Sequence, residues 1–144
     1  MRDDRGERGG LSEVASNAEL VARAFERWNA GERESLLEFI DPDMEIRVAS
    51  TEAFGGRPYR GHAGYWEWVE TMEESFEVWQ LHPDVFEELG DTVVVLGHLF
   101  LRGRGSGIEL NQETGWVVEA RDGKMLRFEA FLSHAEARVA AGVQ

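Results

Sequence analysis

One histidine in the second half of the chain has the chemistry and the setting of a proton-transfer group. His98 lies in the long apolar segment 92–104, where alternation along a strand places Val94, Leu96 and Phe100 on its own face. An imidazole titrates near neutral pH and serves as a general acid or base. If that face lines a pocket, we expect His98 to be catalytic. The alternatives are a buried histidine bonded to a neighbour, or one that points into a dimer interface.

An indole is predicted to lie across a hairpin from this histidine. The glycine-rich segment 103–107 predicts a turn, and a hairpin centred near Ser106 brings residues 114–116 opposite His98. Trp116 and His98 would then stack or hold a flat ligand between them. Ordinary cross-strand packing is the alternative interpretation.

A carboxylate in the last predicted strand is the candidate second catalytic group. A two-residue turn at Asp122 and Gly123 would put Glu129 opposite Trp116 and on its face. A shift of one residue sends Glu129 to the other face, unless a bulge restores it. Glu129 is therefore either catalytic with His98, or a solvated or interface residue. Glu113 and Arg102 are further polar candidates near the mouth of the pocket, or simply solvated charges.

Aromatic side chains spread over helix, loop and strand predict an apolar pocket wall. Small-molecule pockets are mostly apolar with a few placed polar groups. Any one of these aromatic residues is equally explained as core. The candidates for ligand contact are Trp28, Phe54, Tyr59, Trp66, Phe100, Trp116 and Phe128.

The elements that position these residues are helices in the first half and strands in the second. A capping box at Ser16 starts a helix that stops near Gly31, and a short second helix runs through Ile40. A strand at 44–48 and a third helix at about 62–76 follow. Four strands and a short capped helix complete the chain. Helices gathered on an antiparallel sheet make an α+β fold.

Several local strings resemble the nuclear-transport-factor-2-like superfamily, in its SnoaL-like branch. They are AFERWNAG at 24–31, IDPDME at 40–45, YRGH at 59–62, DGKM at 122–125, and FL at 131–132 followed by AEA at 135–137. The resemblance covers residues 16–142. It implies a cone-shaped α+β barrel, with three to four helices on a curved antiparallel or mixed sheet that encloses a pocket. It also implies a homodimer formed through the outer sheet face.

Activities in that superfamily include polyketide cyclisation, ketosteroid isomerisation and limonene epoxide hydrolysis. By resemblance to limonene epoxide hydrolase, its catalytic carboxylate falls on Ala130, its arginine on His98 and its second carboxylate on Phe100. All three are replaced, which argues against that activity. The open alternatives are a cofactor-free isomerase, cyclase or hydrolase of an apolar ligand, a non-catalytic binding protein for an apolar small molecule, and a structural homodimer.

Composition limits the remaining classes. The 144 residues carry a net charge of −13, which disfavours nucleic-acid binding, and no cysteine, which excludes disulfides and thiolate chemistry. The four histidines show no metal spacing, so we expect neither metal nor cofactor. No apolar run reaches membrane-spanning length and the start of the chain has no signal-like apolar region, so a cytoplasmic protein is expected. We predict a flexible tail at 1–15 and a single domain at 16–144.

Overall fold

Capping side chains fix the starts of the first and last helices. The computed structural model describes residues 16–48 and 57–143, and the predicted flexible tail, 1–15, lies outside this part of the chain. The Ser16 hydroxyl accepts a hydrogen bond from the backbone of Glu19, and the Glu19 carboxylate accepts one from the backbone of Ser16. Ser133 accepts a bond from the backbone of Glu136 in the same way. Both predicted caps are confirmed.

Helices and strands follow in the predicted order, with one additional short strand. The bounds are α1 Asn17–Asn29, a 3-10 helix Ser35–Phe39, β1 Ile40–Val48, β2 Tyr59–Arg60, α2 Gly61–Ser75, β3 Phe76–Leu89, β4 Thr92–Gly103, β5 Glu109–Arg121, β6 Lys124–Phe131 and α3 His134–Ala140. The predicted second helix is a 3-10 turn that ends before Ile40, because the backbone of Ile40 is already extended and begins β1.

The strands form one mixed sheet in the order β2–β1–β6–β5–β4–β3. β1 and β6 run parallel, and every other neighbouring pair is antiparallel. α1 and α2 pack on the inner face of the sheet, whereas α3 packs on the outer face, where Ala137 lies against Gly115. The predicted α+β class, helices on a curved mixed sheet, is confirmed. Within 16–48 and 57–143, no helix has the length and apolar character needed to cross a membrane.

Aromatic rings fill the space between the helices and the inner sheet face. The ring of Phe25 meets Trp116 edge-on with centroids 5.1 Å apart, and Trp28 lies 4.9 Å from Trp68. All four side chains are buried. Burying one large apolar side chain contributes about 1.5–3 kcal/mol relative to leaving it exposed. This packing holds α1 and α2 on the sheet.

β4 is apolar on both of its faces. Val95 and Leu99 point inward and pack with the core, so alternation turns Val94 and His98 outward. Val94 is nevertheless fully buried, since α3 covers that part of the outer face. A hydrophobic pattern alone therefore does not distinguish the two faces of this strand.

A buried carboxylate ties the start of β1 to the end of β5. Asp41 is 8% exposed, and its Oδ1 accepts a hydrogen bond of 2.8 Å from the backbone of Asp43. The guanidinium of Arg121 lies 3.2 Å from Oδ2. The bond from Asp43 and the charge of Arg121 hold the pKa of Asp41 below its ordinary value, although burial opposes them.

We expect Asp41→Asn to flatten the acid limb of the stability profile. A depressed carboxyl pKa means that the contribution of Asp41 is present at neutral pH and is lost as the pH falls through the folded pKa. The free energy of unfolding should therefore fall less steeply below pH 5 in the variant than in the parent protein, measured by urea denaturation at several pH values. Asp43→Asn removes the same charge from an exposed side chain and should keep the parent slope. Equal slopes for all three proteins would contradict the assignment.

Candidate functional site

A partly open cavity of about 260 Å³ lies between α2 and the inner face of the sheet. We call it the inner cavity. Side chains from α2 and from every strand except β2 line it, and all but Gln112 and Thr114 are apolar or aromatic. No Asp, Glu, His, Lys, Arg or Tyr is among the lining residues that the structure describes. The inner cavity is also larger than the ~150 Å³ apolar cavity that holds benzene in an engineered protein.

The two polar lining residues are fixed by the backbone. Thr114 is 3% exposed, and its hydroxyl donates to the carbonyl of Gln112 at 2.9 Å. The side-chain amide nitrogen of Gln112 donates to the carbonyls of Glu113 and Leu132 at 2.8 and 3.2 Å. Their donors are thus committed within the protein, and their oxygen atoms remain as acceptors.

Three indoles of the site differ in their hydrogen bonding. Trp28 donates from Nε1 to the carbonyl of Trp79 at 3.0 Å. The Nε1 atoms of Trp68 and Trp79 are buried and have no hydrogen-bond partner among the residues that the structure describes. Such unpaired buried donors are rare in folded proteins, and each calls for an explanation.

The structure places His98 on the outer face, away from the inner cavity. Its ring stacks on His82 with centroids 5.1 Å apart, and its Nδ1 lies 4.0 Å from a carboxylate oxygen of Asp84. Its side chain is 44% exposed. The partner across β5 is Glu113, while Trp116 pairs with Val95. The expected pairing of His98 with Trp116 is corrected, because the hairpin register differs by one residue and each such step changes the face.

Glu129 also lies on the outer face. The β5–β6 hairpin starts in simple register, with Arg121 opposite Lys124, but a bulge between Glu119 and Ala120 shifts it by one residue. Trp116 is consequently paired with Ala130, and Glu129 with Val117. The placement of Glu129 facing Trp116 is thereby corrected, and the alternative of an outward carboxylate describes the structure.

The aromatic residues predicted to form the pocket wall lie in several different parts of the structure. Trp116 and Phe128 line the inner cavity, and Trp28 packs in the core beside it. Phe100 shares the outer face with His98, two residues away on β4. The remaining candidates are outside the cavity or the described chain: Tyr59 and Trp66 line an open groove along α2, where Trp66 is 40% exposed, and Phe54 falls outside the described residues.

The other polar candidates are ion-paired at the surface. Arg102 bonds Glu109 at 2.7 Å, and the Glu113 carboxylate accepts a bond of 2.8 Å from the backbone of His134. Neither residue lines the inner cavity. Among the residues that the structure describes, no group of three or more His, Asp or Glu side chains is arranged to hold a metal ion.

Sequence reasoning did not select two of these indoles, Trp68 and Trp79, as site residues. Trp68 lies three residues after Tyr65 and one before Val69, which puts it on the buried stripe of α2 rather than beside it. Trp79 lies two residues before the buried Leu81 and shares its inward face of β3. Both positions follow from the helical and strand periods once the inner face of each element is known.

The fold and the mostly apolar cavity on the inner sheet face define a nuclear-transport-factor-2-like protein. The family model for the SnoaL-like domain matches residues 21–128. The chain belongs to this SnoaL-like family. A comparison with curated proteins finds no match.

Solved structures share this fold over most of their length. The chain is similar to a nuclear-transport-factor-2-like protein of unknown function from Burkholderia pseudomallei K96243, with 22% identity over 87% of this chain and 97% of that one, at a TM-score of 0.74. TerC, co-crystallised with polyporic acid, is 25% identical over 83% and 93%, with a TM-score of 0.73. A proposed SnoaL-like polyketide cyclase from Jannaschia sp. CCS1 is 21% identical over 80% and 83%, with a TM-score of 0.68.

Proposed function

We propose that this protein binds a flat apolar small molecule in the inner cavity and performs no acid–base chemistry on it. One observation carries the proposal: a partly open, mostly apolar cavity of about 260 Å³ whose described lining has no ionisable side chain. General acid–base catalysis needs a titratable group within hydrogen-bond reach of the reacting atom. His98 and Glu129, the candidates for that role, are turned to the other side of the sheet.

The similar protein TerC supports small-molecule binding, because it was crystallised with polyporic acid. The residues of the described lining favour binding over turnover for this chain. A small molecule buried there gains mainly from removal of apolar surface from water, at about 25 cal/mol per Å². The predicted homodimer through the outer sheet face stays a prediction, and α3 already covers part of that face.

The test is a calorimetric titration of the full chain with indane, a flat two-ring hydrocarbon. We expect saturable binding of one indane per chain with a negative heat-capacity change, the mark of buried apolar surface. His98→Ala should bind indane within about twofold of the parent affinity, since its ring lies across the sheet from the cavity. Absence of binding up to the solubility limit of indane would overturn the proposal. A large loss of affinity for indane in His98→Ala would instead indicate that the ligand binds on the outer face of the sheet.

A further inference from the structure

A second and smaller void lies next to the inner cavity, on the side of α1. We call it the rear void. It measures about 40 Å³, and side chains from α1 and α2 and from β1, β3 and β6 line it. Its described lining is apolar or aromatic, and the hydroxyl of Tyr65 there donates to the carbonyl of Arg33 at 2.8 Å. The rear void therefore lacks the polar partners that a buried water needs, and it suits only apolar groups.

The inner cavity has an exposed end and a buried end. Along β5 its lining runs from Leu110, which is 54% exposed, to the buried Thr114 and Trp116. Along β6 the lining runs from Leu132, also 54% exposed, to Phe128 at 9%. The cavity thus opens beside Leu110 and Leu132 and ends in the core at Phe128. A ligand that enters at the exposed end has its inner end against Phe128.

A single layer of side chains separates the two spaces at the buried end. Trp68, Leu81 and Phe128 line both the inner cavity and the rear void. All three are buried, and the rings of Trp68 and Phe128 meet with centroids 6.4 Å apart. Trp68 is also packed on Trp28 of α1 at 4.9 Å. Because Phe128 also ends the lining of β6, its ring is the part of this layer that meets the inner end of a ligand.

We propose that Phe128 limits the length of the ligand by separating the inner cavity from the rear void. This inference rests on the proposed binding function and identifies a residue that determines which ligands fit. A long ligand cannot push the ring of Phe128 into the rear void, because about 40 Å³ is far less than the ~150 Å³ cavity that holds benzene. Shortening Phe128 joins the two spaces, so an apolar chain then extends toward α1.

The experiment measures the affinities of straight-chain primary alcohols, from 1-hexanol to 1-dodecanol, by tryptophan fluorescence. The hydroxyl group is costly to bury and stays at the exposed end, so the chain points toward Phe128. Each methylene group that enters the cavity should raise the affinity about fourfold. In the parent protein we expect this gain to stop at the chain length that reaches Phe128, which we call the stopping length. In Phe128→Ala the gain should continue for about two more methylene groups, so the longest alcohols bind about tenfold more tightly than to the parent.

Two further variants separate this effect from a general enlargement of the site. Phe131→Ala removes the same ring from the same strand, but of the two spaces Phe131 lines only the inner cavity. Its stopping length should match that of the parent. Leu81→Ala opens the separating layer from β3 with fewer deleted atoms, and it keeps the test decisive if Phe128→Ala does not fold. Its stopping length should exceed that of the parent.

A substitution on α1 tests whether the gain uses the rear void. Ala24 is buried and, of the two spaces, lines only the rear void. Ala24→Val should leave the stopping length of the parent unchanged, and combined with Phe128→Ala it should shorten the stopping length again by filling that space.

Two sets of outcomes distinguish the length inference from the binding function. Equal stopping lengths in the parent, Phe128→Ala and Leu81→Ala, no stopping length in the parent, or binding of indane without the alcohols would overturn the length inference and leave the binding function standing. Failure of both indane and the alcohols to bind would overturn the binding function itself, and the length inference with it.

Discussion

Replacing Ala130 with phenylalanine is expected to weaken the binding of indane strongly in a protein that stays folded. Ala130 faces the inner cavity from β6, opposite Trp116 on one side and Val48 on the other. A benzyl group on this backbone position projects into the space that a ligand occupies. We expect the affinity for indane to fall at least about thirtyfold, roughly 2 kcal/mol.

Stability should change little in Ala130→Phe. Filling a cavity adds contacts, whereas overpacking costs about 1–3 kcal/mol when no space exists. Because the cavity measures about 260 Å³, the added ring has room, and we expect the unfolding free energy to stay within about 1.5 kcal/mol of the parent value.

The control for Ala130→Phe is its neighbour on the opposite face. Glu129→Gln changes a side chain that points away from the cavity, so its affinity for indane should match that of the parent. Calorimetry for binding and thermal melts for folding check both variants. Retained binding in Ala130→Phe would show that the ligand lies elsewhere, with the groove of Tyr59 and Trp66 as the next place to examine.

The layout of the fold was predictable from the sequence because its signals are local. Capping boxes, glycine turns and the helical stripe of α2 involve residues within a few positions of each other. The family strings added the curved sheet and its cavity. In the described part of the chain, the departures from the expected elements include the 3-10 form of the second helix, the start of β1 at Ile40 and the two-residue strand β2.

The faces of the strands were not predictable, because they depend on register. Glu129 faces outward because of a single bulge between β5 and β6, and no residue type near Ala120 predicts that bulge. His98 faces outward because the β4–β5 hairpin pairs it with Glu113 rather than with a residue one position later. Because β4 carries apolar residues on both faces, its sequence pattern does not indicate which face points inward. The correspondence with limonene epoxide hydrolase placed Ala130 in the cavity but His98 and Phe100 on the wrong side of the sheet.

The inward-facing residues of β4 next to His98 and Phe100 also argue against hydrolysis of the limonene epoxide kind. Leu99 and Leu101 line the inner cavity from β4, where a charged pair would be required for hydrolysis of that kind. The described lining of the inner cavity therefore has no charged side chain, whichever face of β4 is assigned to the cavity. The described lining of the inner cavity therefore supports the proposed binding function on either assignment of the faces.

A glycine in the middle of β4 allows the edge strand to approach more closely than any side chain permits. A Cβ atom on Gly97 would overlap the carbonyl oxygen of His82 and lie 2.9 Å from the Cα of Pro83. β3 has its bulge directly after Pro83, where register with β4 shifts before Val85. Proline at an edge-strand bulge and glycine opposite it are the residue types that such a close approach requires.

Gly97→Ala should therefore be among the most destabilising single methyl additions in this chain. The obstructing atoms belong to backbone and cannot rotate away, so β3 must move off β4 beside its bulge. We expect a loss of about 3 kcal/mol of unfolding free energy, the upper part of the range for overpacking. Urea denaturation followed by tryptophan fluorescence measures it.

Gly31→Ala is the matched comparison. Gly31 has φ +81° after the end of α1, with no atom within 4 Å of an added Cβ, so only backbone strain of about 1–2 kcal/mol opposes the methyl group. If Gly97→Ala loses more unfolding free energy than Gly31→Ala, the additional loss comes from steric overlap with β3. An equal or smaller loss at Gly97 would mean that the edge strand shifts freely, and the wall that β3 contributes to the inner cavity through Trp79 and Leu81 would then not be fixed in position.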